Sequence, residues 1–193
     1  MVLLPLPDSA LERDVLLAHE TFHRMQMTIR LTSGQTEGLN AHLDSEQGRV
    51  WLQLEVRALD RALKALAAGA DPRPAARDAL AFRAERRRLF PAAVADEAIL
   101  ERVEGSAEYT GVMAAGDSLT IRVDLARQDL ARLSSFLSFT RAFAYVTGPA
   151  YGPLLDSVAG SARRKRFVAA DGHPTRVTAR PPRWYITRRP LKS

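Results

Sequence analysis

His19-Glu20-Thr21-Phe22-His23 places two histidines four residues apart with a glutamate beside the first. Working outward, Ser9-Ala10-Leu11-Glu12 has the form of a capping box, with Ser9 as N-cap and Glu12 reaching back. Leu11, Val15, Ala18, Phe22 and Met25 then recur at spacings of four, three, four and three, which predicts a helix with a buried stripe. On a helix, residues four apart project from one face, one turn from each other. His19 and His23 therefore present two imidazole nitrogens to one ion at the edge of that stripe. Glu20 points toward the same ion without ligating it, and is the candidate general base on a metal-bound water.

The 193 residues suffice for one domain with its own core, and 46% hydrophobic residues are a globular composition. With no cysteine, a metal must take histidine and carboxylate ligands. The formal charge of +6 is unevenly placed. Residues 163–193 hold ten of the 28 Lys/Arg and one of the 22 acidic residues, so the rest of the chain is slightly acidic. The basic pI is thus a property of one end, and no specific nucleic-acid binding is expected from it. No apolar run approaches the ~18 residues that would span a membrane, and the N-terminal segment lacks the basic region of a signal peptide. The expected compartment is cytoplasmic for the sequence as written, and periplasmic or secreted for a chain that starts further upstream.

Residues 28–44 read as irregular, with turn chemistry at Ser33-Gly34 and Gly38-Leu39-Asn40. His42 falls there, either approaching the site from a loop or remaining a solvent-exposed or backbone-bonded loop histidine. Residues 45–68 form a long amphipathic pattern, with Trp51, Leu54, Ala58, Ala62 and Leu66 as one stripe, widened by Leu52, Leu59 and Leu63. A second helix over about 75–90 makes a hairpin with it. Arg86-Arg87-Arg88 reads as a solvated helix end that suits the helix dipole. A further helix over about 92–115 carries Glu97, Glu101, Glu104 and Glu108 on one broad face. Leu119 to Val123 alternates and is read as a short strand, residues 124–146 as a helix, and Gly148-Pro149-Ala150-Tyr151-Gly152-Pro153 as a tight turn before a short last helix. The expected organisation is a helical domain over 1–162, with the 45–90 hairpin as an insertion, and a basic, poorly ordered tail over 163–193.

Catalytic zinc takes three protein ligands and leaves one position for water. The third ligand must come from elsewhere, and the helix carrying Glu104 is the natural source. Gly105 directly after it permits a close approach, and Ser106 and Ala107 extend a small-residue neighbourhood that suits packing. Glu101 and Glu108, at spacings of three and four, remain competitors.

His19-Glu20-Thr21-Phe22-His23 followed by Glu104-Gly105-Ser106-Ala107-Glu108-Tyr109 resembles the gluzincin metallopeptidases, in particular the aminopeptidase-N-like branch. There the third ligand is the glutamate of an Asn-Glu-Gly-x-Ala pattern. The resemblance implies His19, His23 and Glu104 as zinc ligands and Glu20 as base. It also implies an oxyanion donor downstream, for which Tyr145 and Tyr151 are the candidates, with Tyr151 preferred on its rigid turn. Phe22-His23-Arg24-Met25-Gln26 looks like the motif's continuation in bacterial members. Val103 stands where the pattern has asparagine, and 81 residues separate His23 from Glu104, longer than in typical members. The family's substrate-binding strand precedes the zinc helix, and only 18 residues precede His19. The implied fold is mainly α: a zincin-like helical catalytic domain with a short β element at most and without the upstream sheet.

Two functions follow from these readings. One is a zinc-dependent hydrolase of peptide or protein substrates. The other is a non-catalytic or truncated helical domain whose basic tail binds acidic partners.

Overall fold

The computed structural model describes residues 5–29, 31 and 39–159. Among them the chain is mainly helical, without a strand. The elements are α1 (Ala10–Thr28), a 3-10 turn (Ala41–Asp44), α2 (Glu46–Ala67), α3 (Arg73–Leu89), α4 (Val94–Leu100), a π-helical segment (Glu101–Gly105), α5 (Ser106–Ala115), α6 (Leu119–Arg132) and α7 (Ala142–Ala159). Ser33-Gly34, Gly38 and the basic tail lie outside the described residues.

Helix α1 starts where its cap predicts, with the Ser9 hydroxyl accepting from the Glu12 amide. Glu12 does not reach back; its carboxylate pairs with Arg132 of α6. The buried face also differs from the expected stripe. Val15, His19 and Gln26 are buried, whereas Met25 is 52% exposed. The helix packs chiefly on α5, and the contact runs along the His19 side. Gly111 of α5 makes this possible: a Cβ there would lie 2.6 Å from the Val15 carbonyl oxygen. Any larger residue would push α1, and both histidines, outward.

Ion pairs join residue 55 to 83 and 86, and residue 61 to 78, so α2 and α3 run antiparallel. Leu52, Ala58, Leu59, Ala62 and Leu63 are fully buried, while Trp51, Leu54 and Leu66 are only half-buried. The centre of the α2 stripe is therefore the Leu52–Leu59–Leu63 line, and it forms one continuous core with Leu100, Val123, Leu130, Phe143 and Val146. A smaller cluster of Val15, Val112 and Leu125 lies under α1.

Three expectations about the second half are corrected. The helix read over 124–146 is broken between Ser135 and Ala142. Residues 119–123 are helical: the Ser118 hydroxyl caps Ile121, and Val123, Ala126, Leu130 and Leu133 are buried at spacings of three, four and three. A helical period sustained through the 14 residues of α6 overrides a brief alternation at its start. Residues 148–153 are not a turn but the middle of α7, with Pro149 and Pro153 inside the helix. Gly148 serves close packing instead. A Cβ on it would sit 2.3 Å from the Gly105 carbonyl oxygen, so α7 crosses the π-helical segment backbone to backbone.

Candidate metal centre

The four glutamates at 97, 101, 104 and 108 share one face of an ideal helix, but here they meet different partners. The π-helical segment sits among them, and its wider turn shifts the phase of the residues after it. Glu97 and Glu101 point to α3, whereas Glu104 and Glu108 point to α1.

At the α1 end, the Glu104 Oε2 lies 3.4 Å from His19 Nε2 and 3.3 Å from His23 Nε2. The two Nε2 atoms are 2.8 Å apart. These three residues form a group whose ligand atoms could hold a metal ion. Ligand atoms about 2.0–2.1 Å from a tetrahedral centre are separated by roughly 3.3 Å, close to the two nitrogen–oxygen spacings here.

The outer ring nitrogens fix this arrangement. His19 Nδ1 donates to Glu108 Oε2 at 2.6 Å. His23 Nδ1 donates to Gln26 Oε1 at 2.9 Å, and Gln26 Nε2 in turn donates to the Val103 carbonyl at 2.7 Å and to Ser106 Oγ at 3.1 Å. With the proton held on Nδ1, each Nε2 turns a lone pair inward, the pattern that orients metal-ligating histidines. Glu104 Oε2 is buried with no hydrogen-bond partner, its geometry toward the imidazoles being too poor. Two converging lone pairs and an orphaned carboxylate oxygen are a donor set in need of a cation, so these residues fit a divalent metal.

The titration of the site carries the same signature. Burial pulls the His19 pKa down, but the Glu104 and Glu108 carboxylates outweigh it and raise it to about 9. Glu104, 3.3 Å away, also raises His23. Burial opposes ionisation of Glu104, yet His19, His23 and Tyr145 hold its carboxyl well below the usual range.

Two further residues, one on α7 and one just before it, reach this site. The Tyr145 ring stacks on His19, with centroids 5.7 Å apart and planes 7° from parallel. Burial, with the Glu104 carboxylate beside it, pushes its hydroxyl pKa up. Arg141 binds Glu104 Oε1 at 3.1 Å. Tyr151, the residue preferred from sequence as the oxyanion donor, does not face the site. It comes six positions after Tyr145 on one continuous helix, which points the two rings to different sides. Its hydroxyl bonds Glu55 Oε1 at 2.9 Å under the Arg83 guanidinium, 4.4 Å above its ring. Glu20 is half-buried on α1 beside the histidines.

His42 does not approach this site: it is half-buried, its side chain only 8% exposed, with Nε2 2.8 Å from Glu97 Oε1. Around it, Arg86 pairs with Glu55 and, at 2.9 Å, with Glu97. Arg87 binds Glu97 at 2.9 Å and Glu101 at 3.1 Å. Arg86 is 0% exposed. The Arg86-Arg87-Arg88 run is thus not a solvated end; only Arg88 stays outside, paired with Glu85.

The sequence named Glu108 only as a rival ligand, and it did not assign a role to Gln26 or Arg141. Gln26 had a readable signal: an amide three residues after His23 lies on its face of the helix. Arg141 had none, because its place depends on how α7 crosses the π-helical segment. Comparison with protein-family models, with curated proteins and with solved structures finds no match to this chain.

Proposed function

We propose that this protein is a zinc-dependent hydrolase of peptide bonds, with His19, His23 and Glu104 as ligands and Glu20 as general base. The observation that carries the reading is the convergence of three ligand atoms whose imidazoles are already locked in the ligating tautomer by Glu108 and Gln26. The His-Glu-x-x-His spacing supplies the rest: a carboxylate one residue after the first ligand, on a helix with one side open. The donor set of two imidazoles and one carboxylate suits zinc and leaves a fourth position open.

A bound zinc would supply the Lewis acid for the scissile carbonyl and lower the pKa of a water beside it. Glu20 takes a proton from that water as its oxygen attacks the carbonyl carbon. Glu20 then gives the proton to the departing nitrogen, so the C–N bond breaks, hydroxyl joins the acyl product and hydrogen joins the amine. Tyr145 replaces Tyr151 as the hydroxyl donor at hand for the oxyanion, since its phenol already lies against Glu104. Glu108 keeps His19 in position throughout. Among the described residues no helix is long and apolar enough to cross a membrane.

The test is metal content followed by turnover. Purified protein should hold about one zinc per chain, lost in His19→Ala. Glu20→Gln should keep the zinc and lose roughly 10²–10⁴-fold in peptide hydrolysis, because an amide can neither take nor return the proton. Wild-type protein that binds no zinc, or Glu20→Gln turning over at the wild-type rate, would remove this function.

A further inference from the structure

Arg141 neutralises Glu104 in a different way from the arginine at the centre of the neighbouring ion network. Arg86, which serves Glu55 and Glu97, is 0% exposed, whereas the Arg141 side chain is 57% exposed and Glu104 beneath it only 10%. Glu104 already faces two imidazoles through Oε2, and Arg141 takes only the outer oxygen, Oε1. Arg141 holds a fixed positive charge one carboxylate width from the metal position, at the rim.

Its backbone adds to this. Arg141 directly precedes Ala142, the first residue of the 18-residue α7, so it stands at the positive end of the helix dipole. Tyr145 follows one turn on, on the same side of α7. Glu108 lies behind His19, and Glu20 follows His19 on α1.

We propose that Arg141 is the specificity residue of this site and binds a substrate carboxylate within one residue of the scissile carbonyl. The inference rests on the hydrolase reading. One extended residue spans at most about 3.3–3.6 Å, so a carbonyl at the metal position brings the next residue's carboxylate to the guanidinium. Two sources share this chemistry, the free C-terminal carboxylate of the leaving residue and an acidic side chain at that position. A planar guanidinium suits either, and a charge-assisted pair at a site closed by substrate is among the stronger recognition contacts.

Three small probes on the zinc-loaded full chain separate the possibilities by calorimetry, without needing turnover. They are N-acetylalanine, N-acetylalaninamide and N-acetylaspartic acid α-amide. One of the two carboxylates should bind roughly 10- to 100-fold more tightly than the neutral amide, and which one does so identifies the source. Arg141→Gln should erase that ratio and Arg141→Lys should restore part of it. Equal binding of all three probes by the wild type would overturn the proposal. So would a carboxylate preference that survives in Arg141→Gln, since the metal alone would then be reading the anion. A preference found in protein that hydrolyses nothing would leave the Arg141 anion site standing and remove only the hydrolase reading.

Discussion

Glu97 and Glu104 are seven residues apart on one helical run, and both are buried carboxylates held far below their ordinary pKa. Glu97 is answered by Arg86, Arg87 and His42, and Glu104 by His19, His23, Tyr145 and Arg141. The difference lies in what the partners can give up. A guanidinium keeps its proton at any working pH, so the arginine end is a permanent ion network. An imidazole can release its proton, even where it is held up to about 9 as at His19, so the histidine end can exchange protons for a metal. The same helix is structural at one end and chemically competent at the other because of the donors α3 and α1 bring to it.

Arg86→Ala should have the largest effect. It leaves Glu55 and Glu97 buried without their main partner, at a cost of about 3–5 kcal/mol. Thermal or urea unfolding measures this. A loss below ~1 kcal/mol would mean the network is not what holds α2, α3 and α4 together.

pH should separate the two ends next. Burial works against the Glu97 carboxylate, but Arg86, Arg87 and His42 lower its pKa to about 2. Its contribution is present above the unfolded value near 4.5 and is lost as pH falls toward 2. The His19 pKa is raised to about 9. In metal-free protein its contribution is complete below the unfolded value near 6.5 and is lost as pH rises through 9. Zinc needs the neutral imidazole, so zinc affinity should rise over the same interval. Stability curves of metal-free and zinc-loaded protein from about pH 6 to 10 should therefore diverge. Parallel curves would show that protons and zinc do not compete at His19.

Glu108→Gln tests the orienting contact alone. Loss of the charged partner of His19 should weaken zinc binding about 10–100-fold, or roughly 1.4–2.7 kcal/mol, with the arginine network untouched. Competition with a chelator reads the affinity. An unchanged affinity would make the Glu108 contact incidental.

Arg88→Ala should do almost nothing. Its pair with Glu85 is exposed, and such pairs are worth about 0–1 kcal/mol. Placed beside Arg86→Ala, it shows within one tripeptide how far burial decides what an arginine is worth.

Much of this protein was legible from local pattern. The His-Glu-x-x-His spacing, the Ser9 cap, the helix start at Ser45 and the α2 and α3 periodicities depend on residues within one or two turns, where helix geometry alone sets the neighbours. So did the pairing of Gly105 with a close approach, although its partner is the backbone of α7 around Ala144 and Gly148. The mainly helical fold follows from such local signals.

The tertiary structure decided what local pattern left open. Gly148, Gly152, Pro149 and Pro153 carry turn chemistry in any window, and only the crossing against Gly105 makes that stretch the centre of a helix. That continuity turns Tyr145 to the histidines and Tyr151 to Glu55. Arg86 and Arg88 are equivalent in sequence, and the packing of α3 on α2 and α4 buries one and exposes the other. Glu104 and Glu108 share a helix face, and the seating of α1 at Gly111 against Val15 assigns one to the Nε2 lone pairs and the other to Nδ1 of His19. Sequence determines which groups can meet within a few residues; which of them do meet across the 81 residues from His23 to Glu104 is fixed by backbone distances that only the packed helices define.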